Sequence, residues 1–146
     1  MSFGLPETQT FLDRGFPGIV AALGMRAVAA GPDGVRLRLP AGPDAVRPNP
    51  GGAPLLSGQA MAAAVDTAAV LALSAANGRF RNCGTVDLAM HFLRPVTAPE
   101  VELSAEVLSN GRRMGVVRVD IRPVGADDAL GKLAVTATLA FAYLAD

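Results

Sequence analysis

Residues 57–77 read SGQAMAAAVDTAAVLALSAAN, and from Ala60 to Ala76 only Asp66, Thr67 and Ser74 interrupt a run of Ala, Val, Leu and Met. A helix that is apolar on every side belongs inside a protein, because a solvated helix would carry a polar face. The run is short and Ala-rich beside the roughly 20 strongly apolar residues that a membrane span needs. It therefore reads as a core helix. Ser57 is placed to cap its start, and Asn77-Gly78 to end it in a left-handed turn. Halfway along lies one carboxylate, Asp66. Burying its charge costs free energy unless it is paired, hydrogen-bonded or given a chemical task. A flat sheet cannot cover such a helix all round, so either the sheet curls about it or a second copy closes the far side.

The rest of the chain supplies the sheet. Residues 24–30 and 34–40 read as two strands joined by the turn cluster Gly31-Pro32-Asp33-Gly34, with Val35, Leu37 and Leu39 on one face and Arg36 and Arg38 on the other. Residues 8–23 suggest a short helix capped by Thr8 or Thr10 and broken near Gly15–Pro17. A Pro/Gly-rich loop fills 41–54, a length often found at functional sites. After the helix, Thr85 to Arg94 alternates, with Val86, Leu88, Met90 and Phe92 on the face toward the helix and Thr85, Asp87, Ala89 and His91 opposite. Strands at 101–107, 117–122 and 132–143 follow. Asn110-Gly111 is the strongest hairpin signal. The expected class is α+β, with about six antiparallel strands around one long helix in a single domain spanning 1–146.

Composition narrows the chemistry. Thirteen basic and thirteen acidic side chains cancel, which argues against a nucleic-acid partner or an anionic membrane surface. One cysteine, Cys83, allows no internal disulfide, as expected of a cytoplasmic protein. The N-terminus lacks the basic start and apolar core of a signal peptide. One His and one Cys form no metal-ligand cluster. A Ser-His-acid triad, a Walker A loop and a G-x-G-x-x-G fingerprint are all missing. What remains is the helix start together with Asp66. The free amide of Gly58 could hold a carbonyl oxygen that becomes negative. Asp66 lies about 12 Å further along the same helix, so the two groups would meet only across a two-fold dimer with antiparallel helices.

The stretches PNPGGAPLLSGQAMAAAVDTAAV and GTVDLAMHFLRPV, with the NGRR hairpin, resemble the hotdog-fold thioesterases of the phenylacetate-pathway type. They are also similar to the related 4-hydroxybenzoyl-CoA thioesterases that carry the acid on the central helix. The resemblance spans residues 35–143. It implies a curled sheet wrapped around the helix, a homodimer or homotetramer with sites at subunit interfaces, an acyl-CoA substrate and no cofactor. Carried over by motif, Asp66 becomes nucleophile or general base, the Gly58 amide polarises the thioester carbonyl, and Thr85 positions water. Asn49, Ser57 and Gln59 fall where substrate contacts are expected. Arg112 and Arg113 are candidates for the CoA phosphates, which suit guanidinium groups. The family usually has His-Gly-Gly where this chain has Ser57-Gly58-Gln59, and this leaves a non-catalytic acyl-CoA-binding protein as the alternative. Strict alternation puts Thr85 on the face away from the helix, so its role requires a bulge or a site shared across the dimer.

Overall fold

The computed structural model describes residues 2–145; Met1 and Asp146, the ends of the expected domain span, lie outside the described residues. The chain opens with α1 (Leu5–Arg14) and α2 (Gly18–Ala22), separated at the expected Gly15–Pro17 break. The cap lies earlier than expected. Glu7 Oε2 accepts from the Gly4 N–H at 2.9 Å, while Thr8 is buried inside α1 with its hydroxyl donating to the Gly4 carbonyl at 2.8 Å. Phe11 packs against Phe3, Phe16 and Phe80, which fixes α1 to the loop that follows the long helix.

Six strands form one antiparallel sheet: β1 (Arg26–Gly31), β2 (Gly34–Pro40), β5 (Cys83–Phe92), β6 (Glu100–Asn110), β7 (Met114–Pro123) and β8 (Val135–Tyr143). Their order is β1-β2-β6-β7-β8-β5. The long loop holds a two-residue hairpin, β3 (Val46–Arg47) with β4 (Leu55–Leu56). The helix α3 (Gly58–Asn77) crosses the concave face, capped as expected by Ser57 Oγ, which accepts from the Ala60 N–H at 3.1 Å, and stopped by Gly78 at φ +70°. This is the hotdog arrangement of sheet and helix. Leu37, Leu39, Leu103, Val119, Ile121 and Leu139 fill the interface with α3 and are fully buried, each contributing about 1.5–3 kcal/mol.

At 20 residues α3 is long and apolar enough to cross a membrane by length and composition alone, so its length does not exclude a span as the sequence suggested. Burial makes the distinction: two thirds of its apolar window lies inside the protein. One stripe stays uncovered. Gln59 is exposed, and Ala62, Ala63, Asp66 and Val70 are partly exposed, recurring at the spacing of a single helix face. Asp66 is therefore half-buried in the protomer rather than fully buried.

The outer face of the sheet carries charge. Arg38, almost buried, donates from Nε to Glu102 at 2.8 Å and from Nη1 to Glu100 and Asp128 at 3.0 and 2.9 Å. These bonds fasten the β7–β8 connection over β2 and β6. They hold the Asp128 carboxyl below its ordinary range and raise the Arg38 guanidinium above its own.

The Asn110-Gly111 pair is not the tip of the β6–β7 hairpin. Gly111 N–H donates to the Met114 carbonyl at 2.8 Å, so Arg112 and Arg113 are the central residues. Asn110 uses its side chain elsewhere, donating to Asn77 Oδ1 at 2.9 Å and accepting from the Tyr143 hydroxyl.

Candidate active site

The site begins with an irregularity in β5. Thr85 pairs with Phe141 and Asp87 with Ala140, which leaves Val86 as an extra residue without a partner on β8. Such a bulge advances the alternation by one position. Directly paired antiparallel residues share a face, and Phe141, Leu139, Ala137 and Val135 are all buried core residues. Their partners Thr85, Leu88, Met90 and Phe92 therefore face α3. The expected face holds for the last three and is corrected for Val86 and Thr85, which exchange sides.

Turned inward, Thr85 donates its Oγ1–H to Asp66 Oδ1 at 2.7 Å, an ordinary length for a hydroxyl hydrogen bond. Asp66 Oδ2 has no intrachain hydrogen bond among the described residues. The carboxylate is thus fixed by one oxygen and free at the other, on the uncovered stripe of α3. Cys83, the first residue of β5, lies on the same face and is half-buried. Its thiol is pushed up by burial and by the negative charge of Asp66, with Arg81 opposing. Nothing in the spacing of Asp66 and Cys83 along the chain announces this neighbourhood.

Gly58 is the first residue of α3, and its N–H has no intrachain acceptor among the described residues. That is the usual state of a helix-start amide. A Cβ at Gly58 would lie in ordinary contact with the Phe92 ring at 3.6 Å. Gly58 and Asp66 are separated by about 12 Å of helix rise, as the sequence requires. Gln59 is exposed next to Gly58, and its side chain makes no intrachain hydrogen bond among the described residues. Ser57 is committed to its cap. Asn49 donates to the Ala53 carbonyl at 3.0 Å inside its own loop. Arg112 and Arg113 are exposed at the hairpin tip near the C-terminal end of α3, the opposite end from Gly58. Beside them Arg81 donates to the Gly111 and Arg112 carbonyls and lies 3.5 Å over the Tyr143 ring. The structure thus joins Asp66 with Thr85 and leaves Gly58 and the two hairpin arginines at separate ends of the helix.

At the start of α3 opens a cavity of about 320 Å³, lined by Gly58, Leu55, Leu56, Met61, Phe92 and Val96 among others. It is mostly apolar, and Gly58 is one of its walls. His91 lies elsewhere, exposed on the outer face of β5 opposite Thr136.

Residues 55–129, just over half of the chain, match the thioesterase superfamily, and the chain belongs to it. No curated protein matches. Among solved structures, the chain is similar to a conserved protein of Pseudomonas aeruginosa at 29% identity and TM-score 0.73, covering 88% of this chain and 95% of that one. A thioesterase of Haemophilus influenzae shares the fold at 24% identity and TM-score 0.79, covering 99% and 92%. So does zebrafish thioesterase superfamily member 2, at 19% identity and TM-score 0.79, covering 98% and 100%.

Proposed function

We propose that the chain is an acyl-CoA thioesterase of the phenylacetate-pathway type, working as a dimer with two shared sites. The observation that carries this reading is the Thr85–Asp66 hydrogen bond at 2.7 Å, which holds one oxygen of an acid that lies on the partly exposed stripe of α3. The half-exposed acid, its hydroxyl brace and a free amide eight residues earlier are the parts that acyl transfer needs.

Support for the second copy comes from what the protomer leaves bare. Leu88, Phe92 and Leu93 on and beside the edge strand β5 are 40%, 52% and 55% exposed, an apolar density unusual for a free surface. Next to them, Ala62 and Ala63 offer small side chains along the α3 stripe. Two antiparallel helices crossing near Ala62, midway between Gly58 and Asp66, set the amide of each beside the carboxylate of the other. The carbonyl oxygen then binds at Gly58 N–H of one copy. Asp66 of the other attacks the carbonyl carbon and expels the CoA thiolate, leaving an anhydride that water opens. Alternatively Asp66 takes a proton from water, which attacks instead. The exposed hairpin arginines, Arg112 and Arg113, are free to meet the phosphates of the carrier.

Asp66→Asn removes the acid with little change in volume. It should fold normally and lose about 10²–10⁴-fold in turnover of a CoA ester, read as thiol release. Wild-type turnover in this variant would refute the assignment. Tight calorimetric binding of CoA esters by the wild type, with no thiol released, would instead favour a binding protein. In single turnover in ¹⁸O-labelled water, label in the α3 peptide would mark direct attack with the anhydride opened at the Asp66 carbonyl.

A further inference from the structure

The cavity beside Gly58 carries two cations that the proposed reaction does not use. Arg47, in β3, and Arg94, just after β5, both line it. Arg47 Nη1 donates only to the Pro48 carbonyl at 3.2 Å, and Arg94 Nε only to the Leu133 carbonyl at 3.3 Å. Neither is ion-paired among the described residues, whereas Arg26, Arg36, Arg38 and Arg118 all are. Among the described residues, no Asp or Glu lines the cavity. Its remaining walls include Leu55, Leu56, Met61, Phe92 and Val96. A group that is apolar along its body and anionic at its end satisfies both parts of the lining.

Two parts of an acyl-CoA could supply the anion, and reach decides between them. The cavity has the volume of a sphere about 8 Å across and includes Gly58. From the thioester, the pantetheine arm extends about 15 Å to its first phosphate, four residues' worth of extended chain. That overshoots the cavity. A carboxylate at the far end of an acyl group of about four to six carbons lies roughly 4–6 Å from the thioester carbon on the same scale. We propose that Arg47 and Arg94 select acyl groups ending in a carboxylate, so that the preferred substrates are CoA thioesters of short dicarboxylic acids. This rests on the thioesterase reading and narrows its substrate class.

The test compares glutaryl- and adipyl-CoA with valeryl- and hexanoyl-CoA on wild type, Arg47→Gln and Arg94→Gln. In the wild type, kcat/KM for the anionic esters should exceed that for the neutral ones by about tenfold or more, the scale of a hydrogen bond to a charged group. Each substitution should bring that ratio toward one through loss on the anionic esters. A wild-type ratio of one or below, or a ratio unchanged in both variants, overturns the proposal while hydrolysis itself stands. Parallel loss on anionic and neutral esters also overturns it, and assigns the arginines to the phosphates of the carrier. If no ester is hydrolysed, the thioesterase reading falls. Calorimetry on the same pairs then decides the cavity: adipyl-CoA binding about tenfold tighter than hexanoyl-CoA supports an anion site, and equal affinity refutes it.

Discussion

Thr85→Val tests the brace on the acid directly. The substitution keeps the branched shape and removes the hydroxyl that donates to Asp66 Oδ1 at 2.7 Å. Hydrogen bonds to charged groups are worth about 1.5–3 kcal/mol, which corresponds to about 10–150-fold in rate. Asp66 is half-exposed in the protomer, and water can replace part of the lost bond, so the expected loss lies near the lower end, about 10–30-fold. It should fall on kcat, with KM little changed, because orienting the acid matters only once the carbonyl is attacked. Thr85 is exposed at the sheet edge, so melting should shift by no more than the roughly 0.5 kcal/mol of an ordinary surface change. Thr85→Ser should recover most of the rate. Steady-state thiol release on a CoA ester reads both constants. A Thr85→Val enzyme within twofold of wild-type kcat, or one altered in KM alone, would refute the argument.

Two further outcomes follow from neighbouring groups. Glu102→Ala removes the buried partner of Arg38 but leaves Glu100 and Asp128 in place, so the loss should be about 2–3 kcal/mol, near the low end for a broken buried pair; denaturant unfolding measures it, and a loss below about 0.5 kcal/mol would contradict it. Burial and the Asp66 charge both hold the Cys83 thiol up, so at pH 8 it should alkylate more slowly than a free thiol. Asp66→Asn should speed alkylation and Arg81→Gln should slow it; no change with either would contradict the electrostatic coupling.

The sequence made the helix and the six strands legible because each follows its own period. The Ala-rich run from Ala60 to Ala76 cannot face water, and the later strands alternate on a two-residue repeat. The side assigned to Thr85 failed for a physical reason. The Val86 bulge is marked only by Gly84 just before it, which reads as the end of a loop, and one unpaired residue reverses every facing before it. Asn110-Gly111 misled in a similar way. Its local preference for a tight turn lost to tertiary hydrogen bonds, one donated by Asn110 to Asn77 and one accepted from Tyr143. The cap of α1 shifted because Glu7 could reach back to Gly4, which leaves Thr8 to be buried inside the helix. Arg47 and Arg94 lie far apart in the chain, and only the fold brings them to one cavity. Cys83 meets Asp66 only because β5 begins at that residue and the fold lays it beside α3.

The sharing of each site between two copies can be tested by complementation. Gly58→Pro deletes the amide donor at a first-turn position where proline is well tolerated, and Asp66→Asn deletes the acid. Each variant alone should be nearly inactive. Carrying different tags and co-purified as a mixed dimer, the pair would contain one site built from the intact Gly58 of one copy and the intact Asp66 of the other. That dimer should show about half of wild-type activity, one working site of two. Mixed dimers no more active than their parents would place amide and acid in the same chain and contradict the shared site.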